Sequence, residues 1–190
     1  TVTGIVHSGL SFIPEEFLPD EGLMTKWTAA AFRIEQASRK MDAIVAGVAG
    51  KFLGLGLHPV LLKGQAAARL YREPLLRECG DIDLYFADRA EWKEAVETLA
   101  KEGTALSRVA DGSCHYETDG IVVELHSKMM DICNPFRQKW LKELEPQFCF
   151  DVAEIGGCRI NTPSPELNML LMSSHIMKHA FGRGIGLRQI

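Results

Sequence analysis

Paired cysteines, basic runs and long apolar stretches are all missing from this sequence of 190 residues. Its five cysteines are scattered and form no C-x-x-C motif, which argues against a disulfide framework and against a zinc knuckle. We therefore expect a reducing, cytoplasmic environment. No apolar run approaches the roughly 20 residues that a membrane helix needs, so no membrane partner is expected.

A strong charge imbalance is also missing. The formal net charge is −4, and no cluster of lysine and arginine could follow a phosphate backbone. We therefore do not expect nucleic acid as a routine partner. A nucleotide is compatible with this composition, because a few local donors and a metal ion can hold phosphates on an acidic protein.

The chain begins TVTGIVHSGL, with neither an initiator methionine nor a secretory leader, and we interpret it as a processed chain or a piece of a longer one. Its 46% hydrophobic and 24% charged residues are typical of a globular domain with a proper core. We divide it into a lead-in and long helix (1–56), a core (57–163) and a C-terminal helical segment (164–190) that we expect to be truncated.

Apolar periodicity and turn residues predict an α+β fold with a small mixed β-sheet and flanking helices. Gly54 ends an alanine-rich helix, Asp119-Gly120 favours a hairpin, and Ser164-Pro165 begins a helix. The predicted elements are an irregular lead-in over 1–24 with room for a short helix, a helix over 27–55, a strand over 60–62, a helix over 65–71, a strand over 81–86, a helix over 89–102 capped by Asp88, strands between 105 and 126, a helix near 135–144, strands near 148–152 and 158–161, and a helix from 164 to about 181.

Two acids lie two residues apart on one predicted strand. The side chains of Asp81 and Asp83 therefore project from the same face, with Cα atoms roughly 6–7 Å apart. Such a pair can share one ion, and Mg²⁺ prefers oxygen ligands together with water and substrate phosphates. A solvated strand edge is the alternative. The apolar residues that follow the pair favour the metal site.

Glu124 is the candidate for a third acid. It lies in the apolar, β-branched segment IVVEL, where burial of a carboxylate is costly unless a cation or hydrogen bonds compensate for it. A position on an edge strand or a salt bridge to lysine or arginine is the alternative, and the pattern by itself leaves both open.

A Lys63-Gly64 step follows the first predicted strand and opens a helix. The free amides of such a helix start can cradle phosphate, and Gly64 permits a close approach of the backbone. Lys63 is either a point charge for a triphosphate or a solvated lysine. Arg77 either reaches a phosphate or pairs with Glu78 or Asp81.

Several motifs share the order and spacing of a known family. They are Leu61-Leu62-Lys63-Gly64, Leu70-Tyr71, Pro74, Arg77, Gly80-Asp81-Ile82-Asp83-Leu84 and, later in the chain, Val123-Glu124-Leu125-His126. Together they resemble the uncharacterised bacterial nucleotidyltransferase family of the DNA polymerase beta superfamily, in which LKG, Y-x-x-P-x-x-R and G-D-I-D follow one another.

The resemblance implies a polymerase-beta-like fold and a metal-dependent transfer of a nucleoside monophosphate from a nucleoside triphosphate to a hydroxyl acceptor. By the same resemblance, Gly64 lies at the triphosphate, Asp81 and Asp83 hold Mg²⁺, and Glu124 is the third ligand or the base. The commoner superfamily loop is Gly-Ser or Gly-Gly. Here the serine hydroxyl is missing, and Lys63 or Gln65 would have to replace its contact with phosphate.

We therefore predict an enzyme that uses Mg²⁺ or Mn²⁺ and a nucleoside triphosphate, and no motif selects its hydroxyl acceptor or its oligomeric state. The predicted catalytic and metal-binding residues are Asp81, Asp83 and Glu124, and the predicted nucleotide-binding residues are Lys63, Gly64, Gln65 and Arg77. The alternative is a non-catalytic nucleotide- or partner-binding module of the same fold, such as one component of a toxin-antitoxin pair.

Histidines give weaker signals. His175 and His179 are four residues apart on the last predicted helix, but the glutamate of H-E-x-x-H is replaced and no third ligand is placed, so a zinc protease is not expected. Lys178 and His179 either face the nucleotide or lie on the helix surface. His126 shares a strand face with Glu124 and is either a site residue or a hydrogen-bonded structural histidine.

Overall fold

A computed structural model describes residues 2–109, 112–130 and 135–182, except for the side chains of residue 135 and of residues 178–182. Lys178 and His179, two of the candidates on the last helix, therefore lie outside the described side chains. None of the helices in this described part combines the length and the apolar character that crossing a membrane would require.

The described residues form six α-helices and seven β-strands, with short 3₁₀ turns between them. The helices are α1 (Thr3–Gly9), α2 (Glu21–Gly54), α3 (Gly64–Ala68), α4 (Arg89–Lys101), α5 (Pro135–Leu144) and α6 (Pro165–Gly182). The strands are β1 (Val60–Leu62), β2 (Asp81–Tyr85), β3 (Ser107–Arg108), β4 (Cys114–Thr118), β5 (Ile121–His126), β6 (Phe150–Ile155) and β7 (Cys158–Pro163).

All seven strands belong to one mixed sheet with the order β3-β4-β5-β2-β1-β7-β6. The central strand β2 is antiparallel to β1 and parallel to β5, while β1 is parallel to β7. The β4-β5 and β6-β7 pairs are antiparallel hairpins. This architecture confirms the predicted α+β fold with a mixed sheet and flanking helices.

Each face of the sheet packs against a separate apolar cluster. The larger cluster joins α2 and α4 to one face, and its most buried members are Val45, Ala49, Phe52, Leu61, Ala66, Ile82, Leu84, Phe86, Ala95, Cys114, Val123, Leu125 and Ile160. The smaller cluster joins α5 and α6 to the other face through Val60, Leu62, Tyr85, Met129, Met130, Leu141, Leu167 and Leu171. Because side chains alternate along a strand, every second residue of β2 faces the smaller cluster.

Two helix boundaries differ from the prediction. The long helix begins at Glu21 rather than near residue 27, because the Asp20 side chain accepts a hydrogen bond from the amide of Leu23 and caps it. The helix predicted over 65–71 ends at Ala68, because the amides of the next turn bond to carbonyls three residues back and the helix closes in a 3₁₀ turn.

Local signals fixed other boundaries correctly. Asp88 accepts a hydrogen bond from the Ala90 amide at the start of α4, and the Ser164 hydroxyl accepts one from the Leu167 amide at the start of α6. Asp119 and Gly120 have φ of 51° and 78°, the conformation that a tight hairpin turn requires at both central positions.

Candidate metal and nucleotide site

The candidate site lies on the face of the sheet that carries the smaller apolar cluster. In the parallel β2-β5 pair, Asp83 is opposite Glu124 and Tyr85 is opposite His126. Residues in register on neighbouring strands project to the same side. The pairing therefore brings together an aspartate and a glutamate that are 41 residues apart in the sequence, with His126 beside them.

Asp83 is the buried anion of the site, since its side chain is only 1% exposed. Its Oδ1 accepts from Lys63 Nζ at 2.9 Å and from His126 Nε2 at 2.8 Å. Burial by itself would raise the pKa of Asp83, but the hydrogen bond from His126 and the charge of Lys63 outweigh burial and lower the pKa to about 2. Its second oxygen, Oδ2, is buried and has no hydrogen-bond partner in the described part of the chain.

His126 lies between the two carboxylates. Its Nε2 is 2.8 Å from Asp83 Oδ1 and 3.3 Å from Glu124 Oε2. Burial opposes the charged imidazole, but the hydrogen bonds to both acids raise the pKa of His126 to about 9. At neutral pH the His126 imidazole therefore carries a proton, and its positive charge offsets part of the negative charge of the two carboxylates.

Glu124 is half-buried, and its ion-pair partners among the described residues are two histidines rather than a lysine or arginine. Besides His126, the Nε2 of His115 lies 3.5 Å from Glu124 Oε2 and 2.7 Å from the hydroxyl oxygen of Ser113. His115 was not singled out in the sequence, although a signal existed. Counting outward from the predicted Asp119-Gly120 turn places His115 opposite Glu124, as the structure does.

Asp81 is the first residue of β2 and is exposed. It shares the face of Asp83, and loss of solvent together with the neighbouring Asp83 carboxylate raises the pKa of Asp81. Over the described residues, the side chains whose candidate ligand atoms all lie within 4.8 Å of one another are Asp83, Glu124 and His126. The predicted acid pair is thus one buried residue, Asp83, and one exposed residue, Asp81, and the cluster contains His126 rather than Asp81.

The Lys63-Gly64 step forms a strained turn between β1 and α3. Both residues have positive φ, of 47° and 27°, and a Cβ added to Gly64 would lie 3.3 Å from the Asp81 carbonyl oxygen. Glycine is therefore required by backbone conformation and by a close approach to β2. Lys63 is 25% exposed, and a contact of its ammonium with phosphate stays a prediction. Although burial lowers the pKa of Lys63, the charge of Asp83 raises it, and the ammonium is held on that carboxylate.

Arg77 and Gln65 support the turn instead of pointing into the site. The Arg77 Nη1 donates to the Gly64 carbonyl oxygen at 3.0 Å, and its guanidinium lies 5.6 Å from the centre of the Tyr71 ring. The Gln65 side chain is buried and donates to Asp42 Oδ1 on α2 at 2.5 Å. A contact of either side chain with nucleotide stays a prediction.

The donor set suits a divalent cation. Carboxylates are common ligands of Mg²⁺ and Mn²⁺, imidazole is a ligand of transition-metal ions, and such ions complete their shells with water and phosphate. Removing Asp83 Oδ2 from water costs free energy that no donor among the described residues offsets, and a bound cation would offset it. The residues present therefore fit the metal that the sequence prediction requires.

Comparison with known proteins identifies the family. A family model described as "Uncharacterised nucleotidyltransferase" (NTP_transf_5) matches residues 1–190. Among solved structures, an antigenic nucleotidyltransferase-like protein from Paracoccidioides brasiliensis is similar, with 20% identity and a TM-score of 0.45 over 75% of this chain and 67% of that one. No curated protein matches the sequence. Because the family model covers every residue, the chain belongs to the NTP_transf_5 family of uncharacterised nucleotidyltransferases.

Proposed function

We propose that this chain transfers a nucleoside monophosphate from a nucleoside triphosphate to a hydroxyl acceptor, and that the reaction depends on a divalent cation held by Asp83, Glu124 and Asp81. The observation that carries the proposal is the pairing of Asp83 with Glu124 on adjacent parallel strands, where Asp83 Oδ2 is buried and has no partner among the described side chains and backbone groups. Membership of a nucleotidyltransferase family supports the same reaction.

The chemistry is an in-line displacement. A bound Mg²⁺ or Mn²⁺ would neutralise the triphosphate and stabilise the charge of the departing pyrophosphate. The acceptor oxygen bonds to the α-phosphorus as the bond from that phosphorus to the bridging oxygen breaks. Glu124 takes the proton of the acceptor hydroxyl, because it is a half-buried carboxylate without a lysine or arginine partner among the described contacts.

Nucleotide binding would use the turn before α3. Lys63 is 25% exposed and is held by Asp83 alone among its described ion pairs, so a cation at Asp83 would release its ammonium for a phosphate. Arg77 would act as a positioning residue, because it fixes the Gly64 carbonyl and hence the direction of the neighbouring amides. Gln65 would contribute through its backbone amide, since its side chain bonds to α2.

Calorimetric titration with Mg-ATP tests the proposal. We expect measurable heat for the wild type and none for an Asp81→Ala/Asp83→Ala double variant. A Glu94→Ala/Glu97→Ala double variant is the matched control, because it removes two exposed acids from α4 on the opposite face of the sheet. Equal binding by all three proteins would remove the basis of the proposal.

A non-catalytic binding module is the second candidate, and one observation favours it. Lys63 and His126 already neutralise Asp83, as in a site that needs no metal. Incubation with radiolabelled nucleoside triphosphate and lysate separates the two functions. Transfer of label to a protein, an RNA or a small molecule supports catalysis, whereas saturable binding without transfer supports the module.

A further inference from the structure

His126 is placed where a third metal ligand would be. Its Nε2 and one oxygen each from Asp83 and Glu124 all lie within 4.8 Å of one another. The separations from Nε2 are 2.8 Å to Asp83 Oδ1 and 3.3 Å to Glu124 Oε2. The His126 imidazole is 15% exposed and the Glu124 side chain 22% exposed, so both keep some contact with solvent.

These separations match the edges of a coordination octahedron. Ligands that lie about 2.1–2.2 Å from a divalent ion at right angles to one another are roughly 3 Å apart. The 2.8 Å and 3.3 Å separations bracket that value, and the candidate ligand oxygens of Asp83 and Glu124 are within 4.8 Å of each other. Asp83 Oδ2 is a separate indication, because this 1%-exposed carboxylate has an oxygen with no donor among the residues that the structure describes.

We infer that His126 is a nitrogen ligand of the catalytic cation, and that this imidazole makes the site prefer a divalent transition-metal ion such as Mn²⁺ to Mg²⁺. The inference rests on the proposed metal-dependent function and adds a ligand to it. Magnesium favours oxygen donors almost exclusively, whereas first-row transition ions gain affinity from imidazole. When the ion bonds to Nε2, the proton on that nitrogen leaves to solvent and Nδ1 keeps the remaining ring proton.

His115 provides a matched control within the same site. Both histidines approach Glu124 Oε2, His126 at 3.3 Å and His115 at 3.5 Å, but only His126 also contacts Asp83. His126→Asn removes the nitrogen ligand and keeps a polar side chain of similar size. His115→Asn makes the same chemical change at the position outside the ligand set.

Paramagnetic resonance with Mn²⁺ reads the ligand directly. Binding is measured as loss of the free-ion signal during titration of the protein, with and without a non-hydrolysable ATP analogue, and Mg²⁺ is then added in competition. In the wild type we expect Mn²⁺ to bind at least tenfold more tightly than Mg²⁺, with a pulsed-resonance coupling to one imidazole nitrogen. His126→Asn should lose that coupling and about tenfold of Mn²⁺ affinity while Mg²⁺ affinity stays nearly unchanged. His115→Asn should retain the nitrogen coupling and the preference for Mn²⁺ over Mg²⁺.

The outcomes separate this inference from the function on which it rests. If both ions bind with equal affinity, require Asp83 and show no nitrogen coupling, the role of His126 is overturned and the proposed transferase is left intact. The absence of Mn²⁺ binding under any condition would overturn both. The nitrogen coupling is measured on the wild-type protein, so a misfolded His126→Asn protein would not prevent the test. Urea unfolding of the variant in EDTA shows whether it is misfolded.

Discussion

Removing Lys63 tests whether a metal and a lysine compensate the same buried carboxylate. Lys63 Nζ is 2.9 Å from Asp83 Oδ1, and Asp83 is 1% exposed. At an effective dielectric constant near 20, two charges at this distance attract by roughly 6 kcal/mol. The lysine is 25% exposed and returns to water when it is unpaired, so desolvation cancels about half of that attraction.

We therefore expect Lys63→Met to lower the free energy of unfolding by about 2–3 kcal/mol in EDTA, with His126 still bonded to Asp83. With a slope near 2 kcal/mol per molar urea, the unfolding midpoint falls by about 1 M. In saturating Mn²⁺ the ion replaces the missing ammonium, so the loss should shrink below about 1 kcal/mol. Urea unfolding followed by circular dichroism in EDTA and in MnCl₂ measures both differences.

Lys51→Met is the control for this experiment. Lys51 pairs with Glu102 on the far side of the sheet, and both side chains are substantially exposed, at 33% and 48%. Such a surface pair contributes at most about 1 kcal/mol to the free energy of unfolding, and the stability lost in Lys51→Met should be the same with and without Mn²⁺. A Lys63→Met protein that loses the same stability with and without Mn²⁺ would refute the idea that ion and ammonium share one carboxylate.

Three further predictions concern the scaffold. Gly64→Ala should lower the free energy of unfolding by about 1–2 kcal/mol and the thermal midpoint by several degrees, because φ is positive there and the new Cβ approaches a β2 carbonyl. Gly47→Ala, in the open interior of α2, is the control and should leave stability unchanged or raise it. The Phe52 ring is fully buried and packs edge-to-face on Phe86, so Phe52→Ala should lower the free energy of unfolding in urea by about 3–5 kcal/mol. The Phe32 ring on the same helix is 60% exposed, so Phe32→Ala should lower it by less than about 1 kcal/mol. Burial raises the pKa of Tyr116 to about 12, so the stability that its protonated hydroxyl contributes is fully present below pH 10 and is lost as pH rises through 12. The difference in free energy of unfolding between wild type and Tyr116→Phe should therefore change only in alkaline solution.

Much of the scaffold follows from local signals in the sequence. The alternation at Asp81 and Asp83, the cap at Asp88 and the Asp119-Gly120 turn each depend on neighbours within a few residues, and each of these elements is found at its predicted place. The phase of α2 was harder to predict. This helix is rich in alanine, so its apolar spacing does not single out one face, and of its two phenylalanines Phe52 is buried whereas Phe32 is exposed.

The partners of the site residues could not be predicted, because they depend on strand pairing over long distances. Nothing near Lys63 indicates that its ammonium lies on Asp83, and nothing near Gln65 indicates that its side chain turns to α2. The unequal burial of the two aspartates has the same origin. Asp83 lies deep between β1 and β5, whereas Asp81 is at the open end of its strand.

The place of β1 near the middle of the sheet matters while the ribosome is still making the protein. Its neighbour β2 follows within about 20 residues, but its other neighbour, β7, is synthesised roughly 100 residues later. Until then the nascent chain has one central strand with an open row of amides and carbonyls, which is a template for pairing with another chain. Stalled or prematurely terminated products that end before residue 158 should therefore depend on chaperones far more than the finished protein does.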